Sequence, residues 1–295
     1  MMQAAVYSFE ETAAQAQQLA DCLGVPCAPV AIRSFPDGES LVRVEAVAPL
    51  AILYRSLDHP NVKMVELMLA ASALRDGGAT KVMLVAPYLA YMRQDIAFHP
   101  GEAISQQVIG RWIAAHFDAL VTVDPHLHRI ASLDAVMPGI LTENVSAAPA
   151  IEQALLQHVR SDTVLVGPDV ESRPWVESIA APLGLDVLVG EKQRHGDRKV
   201  ELTIAGIERV EGRPAILVDD VISSGETLRV CAGLLLQAGA LSVEAVATHG
   251  LASDEDLARM AAGGITRIRT TDTVPGKVAS ISIASTLAQV IRAHL

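Results

Sequence analysis

An apolar run, Ala215-Ile-Leu-Val218, stops at two adjacent carboxylates, Asp219 and Asp220. The chain then passes through Val-Ile-Ser223-Ser224-Gly225-Glu226-Thr227 into a helical pattern. A strand that feeds a small-residue turn and then a helix is the repeating unit of a parallel α/β sheet, so this stretch limits the fold more than any other. The same unit recurs along the whole chain. Apolar periodicity predicts strands at 4–7, 28–33, 50–54, 81–86, 119–123 and 139–141, with helices at 11–23, 61–76 and 104–116. A helix at 148–160 and strands at 163–166, 186–189, 199–204, 215–218, 242–248 and 267–269 repeat the plan. Asn, Ser and Pro interrupt the pattern over 142–149, dividing the chain into residues 1–144 and 145–295, two similar halves that suggest an internal duplication.

Composition agrees with that class. At 295 residues, two domains of about 150 residues are the default. Apolar residues make up 51% of the chain and aromatics only 3%, as expected where Val, Leu, Ile and Ala fill sheets covered by helices on both faces. A net charge of −11 argues against a nucleic-acid partner, which needs clustered Lys and Arg. Cys22, Cys27 and Cys231 have no metal-site or disulfide spacing. No run of about 18 apolar residues predicts a membrane span, and the N-terminus has no basic n-region, so the expected location is cytoplasmic.

The turn after Asp220 has the chemistry of a phosphate site. A phosphate monoester needs converging backbone N–H groups, hence small side chains, and Ser223, Ser224, Gly225 and Thr227 supply both room and hydroxyl donors. Sugar hydroxyls need acceptors, which Asp219 and Asp220 provide at the strand end. An Asp capping the following helix is the plain structural alternative. The absence of Gly-Lys-Ser/Thr excludes the Walker loop.

Further polar clusters fall at strand ends, where open α/β sheets place ligands. Phe35-Pro36-Asp37-Gly38-Glu39 is strong turn chemistry that also presents one ring and two acceptors. Arg93-Gln94-Asp95 and His99-Pro100-Gly101-Glu102 follow the fourth strand, with Arg93 and Gln94 placed to contact a nucleotide. Asp124-Pro125-His126-Leu127-His128 follows the fifth and offers metal-type donors, although lone histidines are as often structural. Asp169 follows the first strand of the second half and is another metal candidate. Glu191-Lys192-Gln193-Arg194-His195-Gly196-Asp197-Arg198-Lys199 reads as a cationic loop between strands, either a solvated charge run or a cover for polyphosphate.

Residues 218–227 resemble the phosphoribosyl-diphosphate loop of the type I phosphoribosyltransferase fold. The remaining clusters resemble those of one branch, the ribose-phosphate pyrophosphokinases, and in particular its compact archaeal-type members. The likeness runs over roughly residues 20–285 in the family's order: 33–42, Pro87–Asp95 with Pro100–Ser105, Asp124-x-His126, Lys192-x-Arg194, and Thr248-His249-Gly250.

The resemblance implies two phosphoribosyltransferase-like domains, each a mostly parallel sheet flanked by helices. It implies transfer of the β,γ-diphosphoryl group of Mg-ATP to the anomeric hydroxyl of ribose 5-phosphate, releasing AMP. Phe35, Asp37, Glu39, Arg93, Gln94 and Asp95 would bind ATP. Asp219, Asp220, Ser223, Ser224, Gly225 and Thr227 would bind ribose 5-phosphate. His126 and Asp169 would hold Mg2+, and Lys192 with Arg194 would be catalytic. An ATP site shared between subunits implies a homo-oligomer. The chain departs from the family pattern at Val170–Pro174, where a Gly-rich turn is usual, at Glu226, where Gly is common, and at Ile96-Ala97-Phe98, where basic residues are usual. A larger acceptor such as ADP-ribose, a phosphoribosyltransferase and a non-catalytic regulatory homologue remain as alternatives.

Overall fold

The computed structural model describes residues 3–127, 130, 132–195 and 199–295, the side chains of 192–201 excepted. The chain forms two compact units: Met1–Ser146 together with Ile283–Leu295, and Ala147–Ser282. The last thirteen residues, expected with the second half, therefore belong to the first unit.

The first unit contains β1 (Ala4–Ser8), α1 (Ala13–Leu23), β2 (Cys27–Pro29), β3 (Ala31–Ser34), β4 (Ser40–Arg43) and β5 (Leu50–Tyr54). It continues through α2 (Pro60–Asp76), β6 (Lys81–Ala86), α3 (Ser105–His116), β7 (Ala119–Val123) and β8 (Leu141–Val145). Six strands pair in parallel in the order β2-β1-β5-β6-β7-β8, and β3 and β4 form a separate antiparallel hairpin. Every residue of β1 and β7 is buried, which is why these strands read as continuous apolar runs.

The second unit contains α4 (Ala148–Leu156), β9 (Val164–Gly167), α5 (Arg173–Leu183), β10 (Asp186–His195), β11 (Lys199–Ile204) and β12 (Pro214–Ile222). It continues through α6 (Glu226–Gln237), β13 (Ser242–Gly250), α7 (Asp254–Ala262), β14 (Ile265–Thr271) and β15 (Ala279–Ile281), after which α8 (Ala284–Ile291) returns to the first unit. Its sheet order is β11-β10-β9-β12-β13-β14-β15, parallel except for the β10–β11 hairpin. Leu228, Cys231, Ala232 and Leu235 of α6 are buried, the i, i+3, i+4, i+7 stripe that fixes a helix on a sheet.

Leaving out β3, β4 and β11, both sheets follow one connectivity, with the first strand between the second and third. The antiparallel hairpin of the first unit follows the second strand, whereas that of the second unit is formed by the extension of the second strand, β10, with β11. In such sheets the ligand crevice opens at the carboxyl ends of the first and third strands, where the winding reverses. That crevice lies between β9 and β12 in the second unit and between β1 and β5 in the first.

Several strands differ from the sequence expectation. The single strand expected at 28–33 is two, because Pro29 cannot donate to a ladder and the chain leaves the parallel sheet for the β3–β4 hairpin after Val30 donates to the Ser8 carbonyl at 2.8 Å. The strand expected at 139–141 is displaced to β8, beyond Gly139, whose φ of +87° makes a turn. The polar Thr142-Glu-Asn read as a break is tolerated because β8 is an edge strand with half-exposed residues. Lys192 and Arg194, expected on a loop, lie on β10.

Candidate functional site

In the second unit, the parallel pairing of β10 with β9 ends at Val189 opposite Gly167, yet β10 continues to His195 against β11 alone. The hairpin therefore runs on past the carboxyl end of β9, where the Pro168-Asp169 turn begins. Gly190 permits this passage: a Cβ there would lie 2.6 Å from the Pro168 carbonyl oxygen. Lys192 and Arg194 stand opposite Leu202 and Val200 in the backbone ladder, and their side chains lie outside the described residues.

Asp169 turns the chain into α5. One of its carboxylate oxygens accepts the Ser172 backbone N–H at 3.3 Å, and the Ser172 hydroxyl donates to the Asp169 carbonyl at 2.6 Å. Ser172 thus shapes a turn for which the resemblance implied glycine. It is buried, and Gly167 is required beneath it because a Cβ there would collide with its hydroxyl. Arg173 reaches Glu177 on its own helix at 3.5 Å.

β12 runs through both carboxylates rather than stopping before them, with Asp219 opposite Ala247 and Ile222 opposite Gly250 of β13. Burial pushes the Asp219 carboxyl up to about 8, and the neighbouring charges of Asp220 and Asp169 push the same way. The Asp220 backbone N–H, donated at 3.0 Å, opposes them only in part. Three carboxylates therefore share the crevice of the second unit, a concentration of negative charge that a hard cation or a set of sugar hydroxyls relieves.

The pH dependence follows by sign. The folded chain holds the Asp219 proton up to about pH 8, whereas the unfolded chain releases it in the ordinary carboxylate range. This group's stabilising contribution is therefore complete below that range and declines as pH rises toward about 8. In metal-free buffer, Asp219→Asn is expected to raise Tm relative to the parent at pH 9, by a margin that shrinks steadily toward pH 4. A margin independent of pH would show that Asp219 is not held protonated.

The loop after β12 leads into α6, whose N-cap Gly225 has φ +69° and no side-chain cap. The first backbone N–H groups of α6 are thus left to face an incoming anion. Glycine is needed at 225 twice over, for its positive φ and because a Cβ would strike the Met260 sulfur. Cys231 of α6 donates weakly to the Pro168 carbonyl at 4.0 Å, tying the helix to the Asp169 turn. Asp169, Asp219, Asp220, Ser223, Ser224, Gly225 and Thr227 all lie at the carboxyl ends of β9 and β12. At the next strand end, buried His249 meets Thr273 at 2.9 Å, and the Thr271 and Thr273 hydroxyls donate to the Thr248 carbonyl at 2.6 and 2.9 Å. Thr248-His249-Gly250 is thereby locked into the sheet.

In the first unit, Phe35, Asp37 and Glu39 crowd the tip of the β3–β4 hairpin. Phe35 donates its N–H to the Glu39 carbonyl at 2.7 Å, Asp37 accepts the Glu39 N–H at 3.2 Å, and Gly38 takes φ +94° to close the turn. Phe35 is exposed, with the Arg33 guanidinium 5.4 Å from its ring centre.

Arg93, Gln94 and Asp95 follow β6. Gln94 accepts the Ser105 hydroxyl at 2.6 Å and donates to Glu102 at 3.5 Å, while Glu102 also accepts the Phe98 and His99 N–H groups. Arg93 is exposed and Asp95 buried. Half-buried His126 follows β7, beyond Asp124, whose φ is +36°. His128 lies outside the described residues. Sequence reasoning passed over Glu102 as an organiser of the Gln94 segment, Ser172 as the shaper of the Asp169 turn, and Arg229, whose i+3 spacing from Glu226 was the available signal. No group of three or more His, Cys, Asp or Glu side chains among the described residues forms a ready-made metal cage. No helix there is long and apolar enough to cross a membrane.

Residues 4–116 match the family described as the N-terminal domain of ribose phosphate pyrophosphokinase, and residues 140–279 match the phosphoribosyl transferase domain. The chain is 34% identical to the ribose-phosphate pyrophosphokinase of Methanopyrus kandleri over 93% of its own length and 94% of that protein's. It is 32% identical to the enzyme of the same name from Methanothermobacter thermautotrophicus, over 94% and 96% respectively. The phosphoribosylpyrophosphate synthetase crystal structure from Mycobacterium smegmatis superposes with a TM-score of 0.84 at 26% identity, covering 99% of this chain and 98% of that one.

Proposed function

This chain belongs to the ribose-phosphate pyrophosphokinase family, and we propose that its second unit binds ribose 5-phosphate while its first supplies ATP contacts. The activity is ribose-phosphate diphosphokinase. The anomeric oxygen of ribose 5-phosphate forms a bond to the β-phosphorus of ATP and the bond between the α,β-bridging oxygen and that phosphorus breaks. AMP leaves, 5-phosphoribosyl 1-diphosphate forms, and the anomeric proton is released.

The observation that carries the assignment is the shared crevice of the second unit. There the Asp219-Asp220 pair, the uncapped start of α6 and the Asp169 turn meet at the ends of β9 and β12. Backbone N–H groups of α6, with Ser223, Ser224 and Thr227, receive the 5-phosphate. Asp219 and Asp220 accept from the ribose hydroxyls and so orient the anomeric oxygen. Lys192 and Arg194, on the hairpin that overruns β9, meet the transferring phosphates. Such a transfer depends on positioning and charge neutralisation, with no covalent enzyme intermediate.

Asp169 in the second unit, and separately His126 in the first, are the residues that would contact Mg2+. The donors around Asp169 fit: Asp169, Asp219 and Asp220 are oxygen ligands crowded enough to keep one carboxyl protonated, and among the described residues they form no ready-made cage, as suits an ion that retains waters and binds phosphates. Bound there, magnesium supplies neutralisation of the diphosphoryl charge. Phe35, Asp37 and Glu39, gathered on an exposed hairpin tip, serve the ATP of a neighbouring subunit, with Arg93 and Gln94 completing the nucleotide contacts and Asp95 buried beneath them. The enzyme is thus a homo-oligomer with shared sites.

The test is the fate of phosphorus. Incubated with Mg2+, ribose 5-phosphate and β-labelled ATP, the protein is expected to release unlabelled AMP and place the label in phosphoribosyl diphosphate. Folded protein that forms no AMP, or that forms ADP instead, overturns the assignment.

A further inference from the structure

The sugar-phosphate loop contains a carboxylate that its own chemistry opposes, and a neighbour that answers it. Glu226 is the first residue of α6, beside the N–H groups that face an anion. Unrestrained, its carboxylate would repel an incoming phosphate or fold back onto those N–H groups in its place. Instead it is held by Arg229, whose Nη2 donates to one carboxylate oxygen at 2.6 Å and whose Nε donates to the other at 3.0 Å. This two-point grip, with Arg259 adding its charge, keeps the Glu226 carboxyl below the ordinary carboxylate range.

Arg229 has a built seat. Gly263, at the end of α7, leaves room for its stem, since a Cβ at 263 would lie 2.5 Å from Arg229 Cγ. Arg259 is anchored separately, to Glu255 at 3.0 Å and to Asp256, and Asp256 is fixed by the capping box with Ser253. Among these groups, Arg229 is the one that grips Glu226 at two points.

We propose that Arg229 is a positioning residue for ribose 5-phosphate: by pinning Glu226 sideways it keeps the start of α6 open to the phosphate dianion and sets the affinity for the sugar phosphate. The proposal rests on the reading of residues 223–227 as the 5-phosphate loop. It also accounts for a glutamate at a position where the family commonly has glycine, since the carboxylate is tolerated because its counter-charge is supplied three residues on.

Steady-state kinetics of Arg229→Ala, Glu226→Gln, the double variant and Thr227→Ala decide the matter. Arg229→Ala is expected to raise KM for ribose 5-phosphate about three- to tenfold, the effect of one uncompensated charge at a helix N-terminus. The kcat and the KM for ATP should stay within twofold. The rise should shrink at high salt, and the double variant should return to the KM of Glu226→Gln alone. An unchanged KM in Arg229→Ala, or a double variant as impaired as the single one, overturns the proposal, the latter because Arg229 would then act through packing. Thr227→Ala separates the two levels: if it leaves KM for ribose 5-phosphate unchanged, the loop assignment itself falls. If it raises KM while Arg229→Ala does not, only the role of Arg229 falls.

Discussion

Replacing Lys192 with alanine is expected to lower kcat about a hundred- to a thousandfold, the loss typical when one donor to developing transition-state charge is removed. Little change in stability is expected, because the backbone pairing with β11 holds this position. Lys192 lies on the part of β10 that has left β9 and is held by its backbone ladder to β11 alone. That ladder persists whatever side chain stands at 192. Circular dichroism and the unfolding midpoint would confirm an intact fold beside the lost turnover. The same variant tests the shared site. On coexpression with Phe35→Ala, the proposed sharing of sites between subunits predicts mixed oligomers in which one site draws Lys192 from one chain and Phe35 from the other, so activity should reappear above that of either variant alone. A Lys192→Ala enzyme with near-normal kcat would remove the hairpin from the chemistry.

The parts of this architecture visible in the sequence were those written in short-range code. β1, β5, β6 and β7 are apolar runs bounded by turns, and a polar cluster just past such a run lies at a carboxyl end once the sheet is parallel. That is why the sequence alone places Asp169, Asp219, Arg93 and His126 at strand ends. The hairpin of Lys192 was hidden because a charged stretch reads as loop, whereas backbone pairing between β10 and β11 holds it as a ribbon past the end of β9. β8 was hidden for a related reason: an edge strand can be polar. Ser172 acts through contacts with no motif of their own, and Arg229 offers only its i+3 spacing from Glu226. The return of α8 to the first unit is a long-range event that no local pattern encodes. Arg292 hydrogen-bonds the Cys22 carbonyl at 2.5 Å, across nearly the whole length of the chain.

The duplication makes one further result predictable. The two units share a connectivity, yet only the second keeps its crevice as a cluster of acceptors. In the first unit the matching place, between β1 and β5, is filled. Arg55, the residue after β5, lies with its guanidinium 3.9 Å from the ring centre of fully buried Phe9, which follows β1. It pairs with Glu66 of α2 at 2.7 Å and with Glu11 at 2.7 Å, and donates to the Lys63 carbonyl at 3.3 Å. Where one unit carries a pair of aspartates near the carboxyl end of its third strand, the other has, just after its third strand, an arginine stacked on a ring. Arg55 and Glu66 are about 95% removed from solvent, so truncating the arginine strands a buried carboxylate. Arg55→Ala is accordingly expected to cost about 3–5 kcal/mol of stability, the range for breaking a buried ion pair from one side. Arg55→Met with Glu66→Leu, which removes both charges and keeps the volume, should recover most of that loss, and urea unfolding of the three proteins measures both quantities. Glu66 also accepts the Ser40 hydroxyl at 3.0 Å, at the base of the Phe35 hairpin, so Arg55→Ala should raise KM for ATP as well. A loss below about 1 kcal/mol, within the range of an exposed pair, would mean that the crevice of the first unit is open rather than filled. The proposed specialisation of the two halves, one as sugar site and one as scaffold for nucleotide loops, would then need another cause.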